Sequence, residues 1–510
     1  MIYRKNDEER GNFEVFDFKH AQVNFEKIDL ANNYIKINYI TADTPDITIV
    51  KELAKELYQD TATLQYDGPF VEQQALIIDV GQVNVKDAIF KLDNHRKNRP
   101  PKPNGVIDWE RLRIRDFNAN LSNVQYKDLD FTGQVNELSL KSKSGFEIKE
   151  MKANQGKVTS TRLELFGLKL ETGNSLIKDT LIFDYSDYYA YDEFEDRVNM
   201  NAKFVNSRLA VKDIMYFVPA SVNSPFFEKN KSSVLYLDGI ISGRVNRLRG
   251  RGITLRIPDQ TYFKGNFKLR DITIPGEEVL NLEVEELRTK AEHLAAYIPD
   301  FNPPKNFYKL GDMNFYGRFD GTFQEFFAYG KLQTDLGQSD LDMKIAFNDQ
   351  GNNAVYSGKM NLLDFDLGTW TGDPQFGLIS ASAQVNNGRG LTPETLNADL
   401  NGDIKSFTFR NYTYKNVIGE GKFNQKLFDG KFSIKDDHVD LLFDGTIDFT
   451  DSLAVLDFNA AVNKLDIKSL NLSNDDFVFS GDMDINLLGF DLAKIRGETQ
   501  LNDFTIIRNG

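Results

Sequence analysis

The chain has 510 residues, a formal net charge of −15, 12% aromatic residues including 40 Phe, and no cysteine. So much bulky apolar material exceeds what a solvated linker carries, and the acidic balance without a basic stripe argues against a nucleic-acid partner. The missing thiols exclude disulfides, cysteine nucleophiles, thiolate zinc sites and iron–sulfur clusters, and no polybasic stretch suited to lipid headgroups stands out.

Met1 to Gly11 is largely polar and no run of 18 apolar residues occurs, so neither a signal peptide nor a membrane-spanning helix is expected within the chain. Strand-like Phe504, Ile506 and Ile507 run almost to the last residue, and the chain reads as a fragment of a longer protein. Apolar and polar residues alternate at Phe13 to Phe18, Tyr34 to Ile40 and Ala75 to Val85. They do so again where Leu341, Met343, Ile345 and Phe347 interleave with Asp342 and Lys344, and from Val439 to Phe449. A period of two marks half-buried strands. Gly, Asn and Asp punctuate these runs as turns in an antiparallel meander do.

Helical pattern is confined to short pieces at Val50 to Tyr58, Lys212 to Val218 and Lys290 to Ile298. The expected fold is therefore mainly β, an elongated, curled, predominantly antiparallel sheet forming an open groove, with a few short helices. Four segments follow. Residues 1–96 form a β-rich start with one short helix, and residues 97–104, with Pro100, Pro101 and Pro103, form an extended linker that cannot join a ladder. Residues 105–300 carry groove modules with helices near 212–218 and 290–298, and residues 301–510 carry further modules that continue beyond the chain end. Two weak internal echoes support degenerate modules. The pieces ending at Pro219 and Pro299 are offset by 80 residues, and Leu363-Asp364-Phe365 precedes Leu465-Asp466-Ile467 by 102.

The most informative pattern is apolar-x-Gly-x-apolar, at Gly133, Gly239, Gly265, Gly317, Gly358, Gly402, Gly430, Gly445 and Gly481. Parity decides whether these glycines turn the chain. A two-residue turn at Asp444-Gly445 would set Phe443 against Thr446 and Leu441 against Asp448. A continuous strand instead gathers Val439, Leu441, Phe443, Ile447 and Phe449 on one face and Asp440, Asp444, Thr446 and Asp448 on the other. The continuous strand is the better reading, with bends or bulges at the glycines. Phe477, Phe479, Gly481, Met483, Ile485 and Leu487 repeat the argument. Such glycines either serve curvature and close packing or keep the inner wall of a trough open for a long apolar guest.

The strand array, the glycine signature, the Leu-Asp-apolar units and the stretch Gly311-Asp-Met-Asn-Phe-Tyr-Gly-Arg-Phe-Asp-Gly321 together resemble the TamB/AsmA-like family, the translocation and assembly module components, in their Bacteroidota form. The resemblance covers nearly the whole chain and is carried by diffuse patterning. It implies a periplasmic protein anchored in the inner membrane, outside this segment, whose hydrophobic β-groove works with an Omp85-type outer-membrane barrel. It further implies phospholipid transport between the membranes, outer-membrane protein assembly, or both. This chain lacks the family's N-terminal anchor and any recognisable C-terminal domain. Phospholipid acyl chains are the expected guest, and the groove candidates are Phe315, Phe319, Leu341, Met343, Ile345, Phe347, Val439, Leu441, Phe443, Ile447, Phe449, Phe477, Phe479, Met483, Ile485 and Leu487. Asp448 and Asp484 should face water.

Enzyme chemistry has little support in the sequence, and no cofactor, metal or catalytic residue is expected. His20, His95, His293 and His438 are far apart and in no metal-binding spacing. Asp436/Asp437 and Asp475/Asp476 read as solvated turn carboxylates, and Trp109 and Trp370 stand isolated. The alternative to a lipid groove is a structural or adhesive β-repeat protein of the envelope, which would show a packed interior.

Overall fold

The structure, a computed structural model, describes every residue except 1, 8–10, 54–74, 97–98, 259–260, 275, 300, 302, 323, 348–353, 391–394, 451–452, 490–494 and 509–510. The described chain is 68% strand and 10% helix. Its 28 strands belong to one open, mostly antiparallel sheet. Two compact units divide it, Met1–Pro258 with Asn266–Glu278, and Asp259–Gly265 with Val279–Gly510.

The first unit begins with β1 (Ile2–Asp7), β2 (Asn12–Asp17), β3 (His20–Asp29), β4 (Tyr34–Asp43), β5 (Asp46–Lys51) and the long β6 (Ile77–Asn94). Antiparallel pairing links β1 to β2, β2 to β5 and β3 to β4. The exception to the meander lies here. β4 and β5 both pair parallel with β6, β4 along its first half and β5 along its second. An 18-residue strand spans about 60 Å at ~3.3 Å per residue, enough to seat two shorter strands end to end. Val50 and Lys51, read as the start of a helix, instead close β5, Glu52 and Leu53 are irregular, and residues 54–58 of that stretch lie outside the described residues.

Antiparallel neighbours then follow in order: β7 (Arg113–Lys127), β8 (Asp130–Ser142), β9 (Glu147–Val158), β10 (Arg162–Thr172), β11 (Leu176–Asp184), β12 (Asn199–Ala210), β13 (Val234–Arg244) and β14 (Arg247–Ile257). Short helices α1 (Phe194–Arg197), α2 (Val211–Met215) and α3 (Pro225–Asn230) are inserted between strands. With residues 105–112 and the turn at Tyr188–Glu193, α1 and the chain through α2 to Val218 build aromatic cores in which Trp109 lies 5.1 Å from Tyr191 and Phe146 lies 5.0 Å from Phe217. Trp109 is thus not isolated. The Pro-rich stretch is irregular where described, and it is pinned by the Arg99 guanidinium to the buried Asp192 carboxylate and to Glu193.

β15 (Thr261–Arg270) precedes β16 (Val279–Thr289), which opens the meander of the second unit; α4 (Ala291–Tyr297) follows. β17 (Met313–Gly321), β18 (Glu325–Thr334), β19 (Gly337–Phe347) and β20 (Ala354–Asp366) come next, then α5 (Leu367–Thr371). β21 (Phe376–Arg389), β22 (Asn397–Phe409), β23 (Tyr412–Asn424), β24 (Leu427–Lys435) and β25 (Val439–Asp448) lead to β26 (Val455–Asp466), β27 (Phe477–Leu488) and β28 (Arg496–Arg508). Each pairs antiparallel with the next from β16 to β28. Turn chemistry matches this layout. Arg410 and Asn411 have φ of 49° and 62° and join β22 to β23 as a two-residue loop, the conformation that a type I′ hairpin turn requires.

All nine glycines of the repeated pattern lie inside strands, so the continuous-strand reading describes them and the turn reading does not. Gly445 lies within β25 at a positive φ of +149°, and a Cβ there would lie 2.4 Å from the Asp457 carbonyl oxygen. Register shifts accompany Gly133, Gly239 and Gly481, whereas β24 and β25 pass Gly430 and Gly445 in unbroken register.

Candidate functional site

Directly paired residues of an antiparallel sheet point to the same side, so the register of the second unit can be followed strand by strand. One line runs Leu341, Met360, Ala383, Gly402, Gly419, Phe432, Phe443, Ala460, Met483. A second runs from Phe319 through Ala328, Met343, Gly358, Val385, Leu400, Gly421, Gly430, Gly445 and Phe458 to Ile485. A third joins Phe315, Leu332, Ser339, Leu362, Ala381, Ile404, Val417, Ile434, Leu441 and Val462, with Ser339 as its one polar member. A shorter fourth passes from Phe423 and Phe428 through Ile447 and Leu456 to Leu487. These lines make one continuous apolar face.

The face is partly packed on itself and partly open. Phe443 stacks on Phe432 with centroids 4.6 Å apart and meets Phe458 at 4.9 Å. Val439, Phe443, Met343 and Ile485 are buried accordingly. At Gly421 a Cβ would fall 2.6 Å from the Phe428 ring, so the space left by that glycine is occupied by an aromatic neighbour rather than left vacant. Curvature and close approach therefore account for Gly421 and Gly445. The open part is a cavity of about 660 Å³ over β20 to β26. Ile379, Leu400, Ile404, Phe407, Phe409, Phe423, Phe428, Leu441, Leu465 and Leu470 line it. Its volume falls within the range of small-molecule sites, about 300–1,000 Å³.

One margin of the face is closed by insertions. Leu310, Leu336 and Phe365 form a core against Phe307, Met313 and Trp370, the last on α5, so Trp370 is not isolated either. Phe347, at the end of β19, packs near Phe301 and Phe326. Leu470 is fully buried beside the cavity. The two margin pieces correspond. Asp366 accepts the Thr369 N–H at 2.8 Å and Asp466 accepts the Ser469 N–H at 3.0 Å, which sets Trp370 against Leu470 100 residues apart. The structural echo therefore aligns Phe365 with Leu465, two residues off the offset suggested by the Leu-Asp-apolar units.

Polar side chains gather at this margin. Asp436 accepts bonds from the Tyr412 hydroxyl, the Lys415 N–H (3.0 Å) and the His438 N–H (3.2 Å), so it organises a turn rather than being simply solvated. Burial and then the bond to Asp436 push the Tyr412 hydroxyl pKa upward, so it stays protonated as a donor. Burial disfavours a charge on Asp466, but bonds from Ser469 and the His438 ring, 3.2 Å away, outweigh it and hold the carboxyl below its ordinary range. No group of three metal-ligating side chains occurs among the described residues.

Of the sequence candidates, Phe315, Phe319, Leu341, Met343, Leu441, Phe443, Ile447, Met483, Ile485 and Leu487 fall on the four lines. Ile345 pairs with Phe326 and Tyr356. Val439 is joined to Leu465, and Leu465 to Phe479. Phe477 lies 6.0 Å from Phe479, beneath the Arg508 guanidinium. Phe449 lies beyond the end of β25 and is 44% exposed. Asp448 bonds the Thr450 N–H and hydroxyl at 2.8 and 2.6 Å, so it fastens a turn rather than standing free. The cavity residues Phe407, Phe409, Leu470 and Leu472 escaped the sequence reading, because Phe407 and Phe409 follow a register shift that changes the parity of β22 and Leu470 and Leu472 lie in an insertion without alternation. No helix among the described residues is long and apolar enough to cross a membrane. No protein-family model matches the chain, and neither a curated protein nor a solved structure matches it.

Proposed function

We propose that the apolar sheet face of the second unit is a lipid-binding groove and that its guest is the acyl portion of a phospholipid. The observation that carries this reading is the apolar face, broken along its lines only by Ser339, opening into a 660 Å³ cavity lined almost wholly by carbon. Acyl chains need only continuous apolar surface, and each buried methylene contributes about 0.8 kcal/mol. No catalytic group is required. In this reading the chain is part of a TamB/AsmA-like envelope protein of the periplasm, anchored in the inner membrane by a segment outside this chain. It serves phospholipid transport between the membranes, outer-membrane protein assembly with an Omp85-type barrel, or both.

A structural role is the competing reading, favoured for the first unit by its packed aromatic cores. The experiment is native mass spectrometry and lipid extraction on the 510-residue chain purified from a lipid-containing host. Co-purifying phospholipid, lost when Ile404 and Leu441 at the cavity are replaced by polar residues, is the expected result. A folded chain that is consistently lipid-free would sink the groove and leave the structural role.

A further inference from the structure

The outer, polar side of the first unit carries a cationic grid that the overall charge of the chain conceals. Arg247, Arg249 and Arg251 alternate along β14 and are all exposed, so they share one face. Arg244 of β13 stands directly opposite Arg247. The Asp271 N–H donates to the Asn246 carbonyl at 2.9 Å, and a Cβ on Gly250 would touch the Phe267 ring. That antiparallel run sets Arg270 beside Arg247 and Lys268 beside Arg249, both exposed. No carboxylate among the described residues forms an ion pair with any of these six cations. Three acids close by are otherwise engaged: Asp238 accepts the Asn206 N–H, Asp196 the Asn246 amide, and Asp179 pairs with Lys203.

Like charges directly opposite on a sheet destabilise it, and Arg244 facing Arg247 has no compensating carboxylate among the described residues. Strands lie about 4.8 Å apart and alternate residues about 6.7 Å, so the cations are closely spaced over three neighbouring strands. Arginine, a planar fork of donors, suits phosphate oxygens. Exposed Ile240 faces Arg251, and exposed Tyr236, which faces Arg256, already carries that guanidinium 5.1 Å from its ring. A single-stranded nucleic acid needs free aromatic rings for base stacking, and Tyr236 is taken. Closely spaced, phosphate-suited donors beside an exposed Ile and Tyr fit the surface of a bilayer.

We propose that this face of β13–β15 docks on an anionic phospholipid surface through its headgroup phosphates. The site lies on the polar side of the first unit and is independent of the groove reading, so either can fail alone. The test is sedimentation of the 510-residue chain with phosphatidylcholine vesicles made with or without phosphatidylglycerol. Binding should require phosphatidylglycerol and fall steeply as salt shortens the screening length from about 10 Å at 0.1 M to about 3 Å at 1 M. A cation at such a surface contributes roughly fivefold in binding. Arg249→Gln should therefore weaken binding about fivefold, and the triple variant Arg244→Gln, Arg247→Gln, Arg249→Gln about a hundredfold, with unchanged circular dichroism. Arg318→Gln, an exposed cation of the second unit, should leave binding intact. Equal binding to both vesicle types, a triple variant that binds as wild type, or an equal loss in Arg318→Gln would overturn the proposal. Tighter binding to single-stranded RNA than to the vesicles would also overturn it and reassign the patch to nucleic acid.

Discussion

Gly430 of β24 stands directly opposite Gly445 of β25, and Gly421 of β23 is paired to Gly430 on its other side. Three adjacent strands thus approach without a Cβ between them. Gly445→Ala would press a Cβ to 2.4 Å from the Asp457 carbonyl oxygen at a φ of +149°, which only glycine adopts without strain. We expect a loss of about 1–3 kcal/mol in denaturant unfolding. Gly156→Ala is the contrasting case, since its Cβ would meet nothing nearer than 3.6 Å. It should be neutral, or stabilise by about 0.4–1 kcal/mol through the unfolded state. Equal losses in the two variants would contradict the strand register.

Leu470 is fully buried in the insertion that closes one margin of the cavity, while its neighbour Leu472 is 40% exposed. Leu470→Ala should cost about 2–4 kcal/mol by leaving a hole in that wall. Leu472→Ala should cost less than about 1 kcal/mol. Thermal melting of the pair checks this, and a Leu470 variant as stable as wild type would mean that the insertion does not seal the margin.

Much of this architecture was legible because alternation is local. In β25, Val439, Leu441, Phe443 and Ile447 announce a face by parity alone, and the same parity rejects a turn at Asp444-Gly445. The parallel pairing of β4 and β5 with β6 was not legible, since a strand's sequence does not state which neighbour it meets. Trp109 and Trp370 looked isolated because the rings around them come from distant elements. The arginine grid escaped notice because its charges are outnumbered in a chain of net −15 and because Arg270 reaches Arg247 only through pairing. The cavity was half legible: Leu441 lies on an alternating strand, but Leu470 lies in an insertion without a period, and Phe407 follows a register shift that changes the parity set by Leu400 and Ile404.

Asp466 gives the margin a pH dependence whose sign follows from its lowered pKa. A carboxyl held below its unfolded value of about 3.9 contributes stability above that value and loses it as pH falls through the folded pKa. Wild type should therefore lose stability below about pH 4 more steeply than Asp466→Asn. At neutral pH the Asn variant should itself be less stable by about 1 kcal/mol, a typical capping contribution. Parallel acid limbs in urea titrations of the two proteins would contradict the assignment.

The sharpest test of the groove places charge on either side of the same strands. Ile447 pairs with Phe428 and Leu456 on the apolar face, and buried Ile485 pairs with Phe458. Asp484 is exposed on the opposite side. Ile485→Asp puts a carboxylate at a buried position beside Phe458, and a loss of about 3–4 kcal/mol is expected. Ile447→Asp, at a half-buried position, should cost only about 1–2 kcal/mol and keep the fold while reducing bound phospholipid. Asp484→Lys should change neither stability nor lipid content. Asp448→Lys differs from it, because Asp448 fastens the Thr450 turn, and a loss of about 1 kcal/mol without loss of lipid is expected. Melting and lipid retention measured on the same four proteins separate the readings. A packed structural face would lose stability in Ile447→Asp with no lipid to lose, whereas a groove would lose its guest first. If the inward and outward variants behaved alike in both measurements, the facing of β25 and β27, and the groove with it, would be wrong.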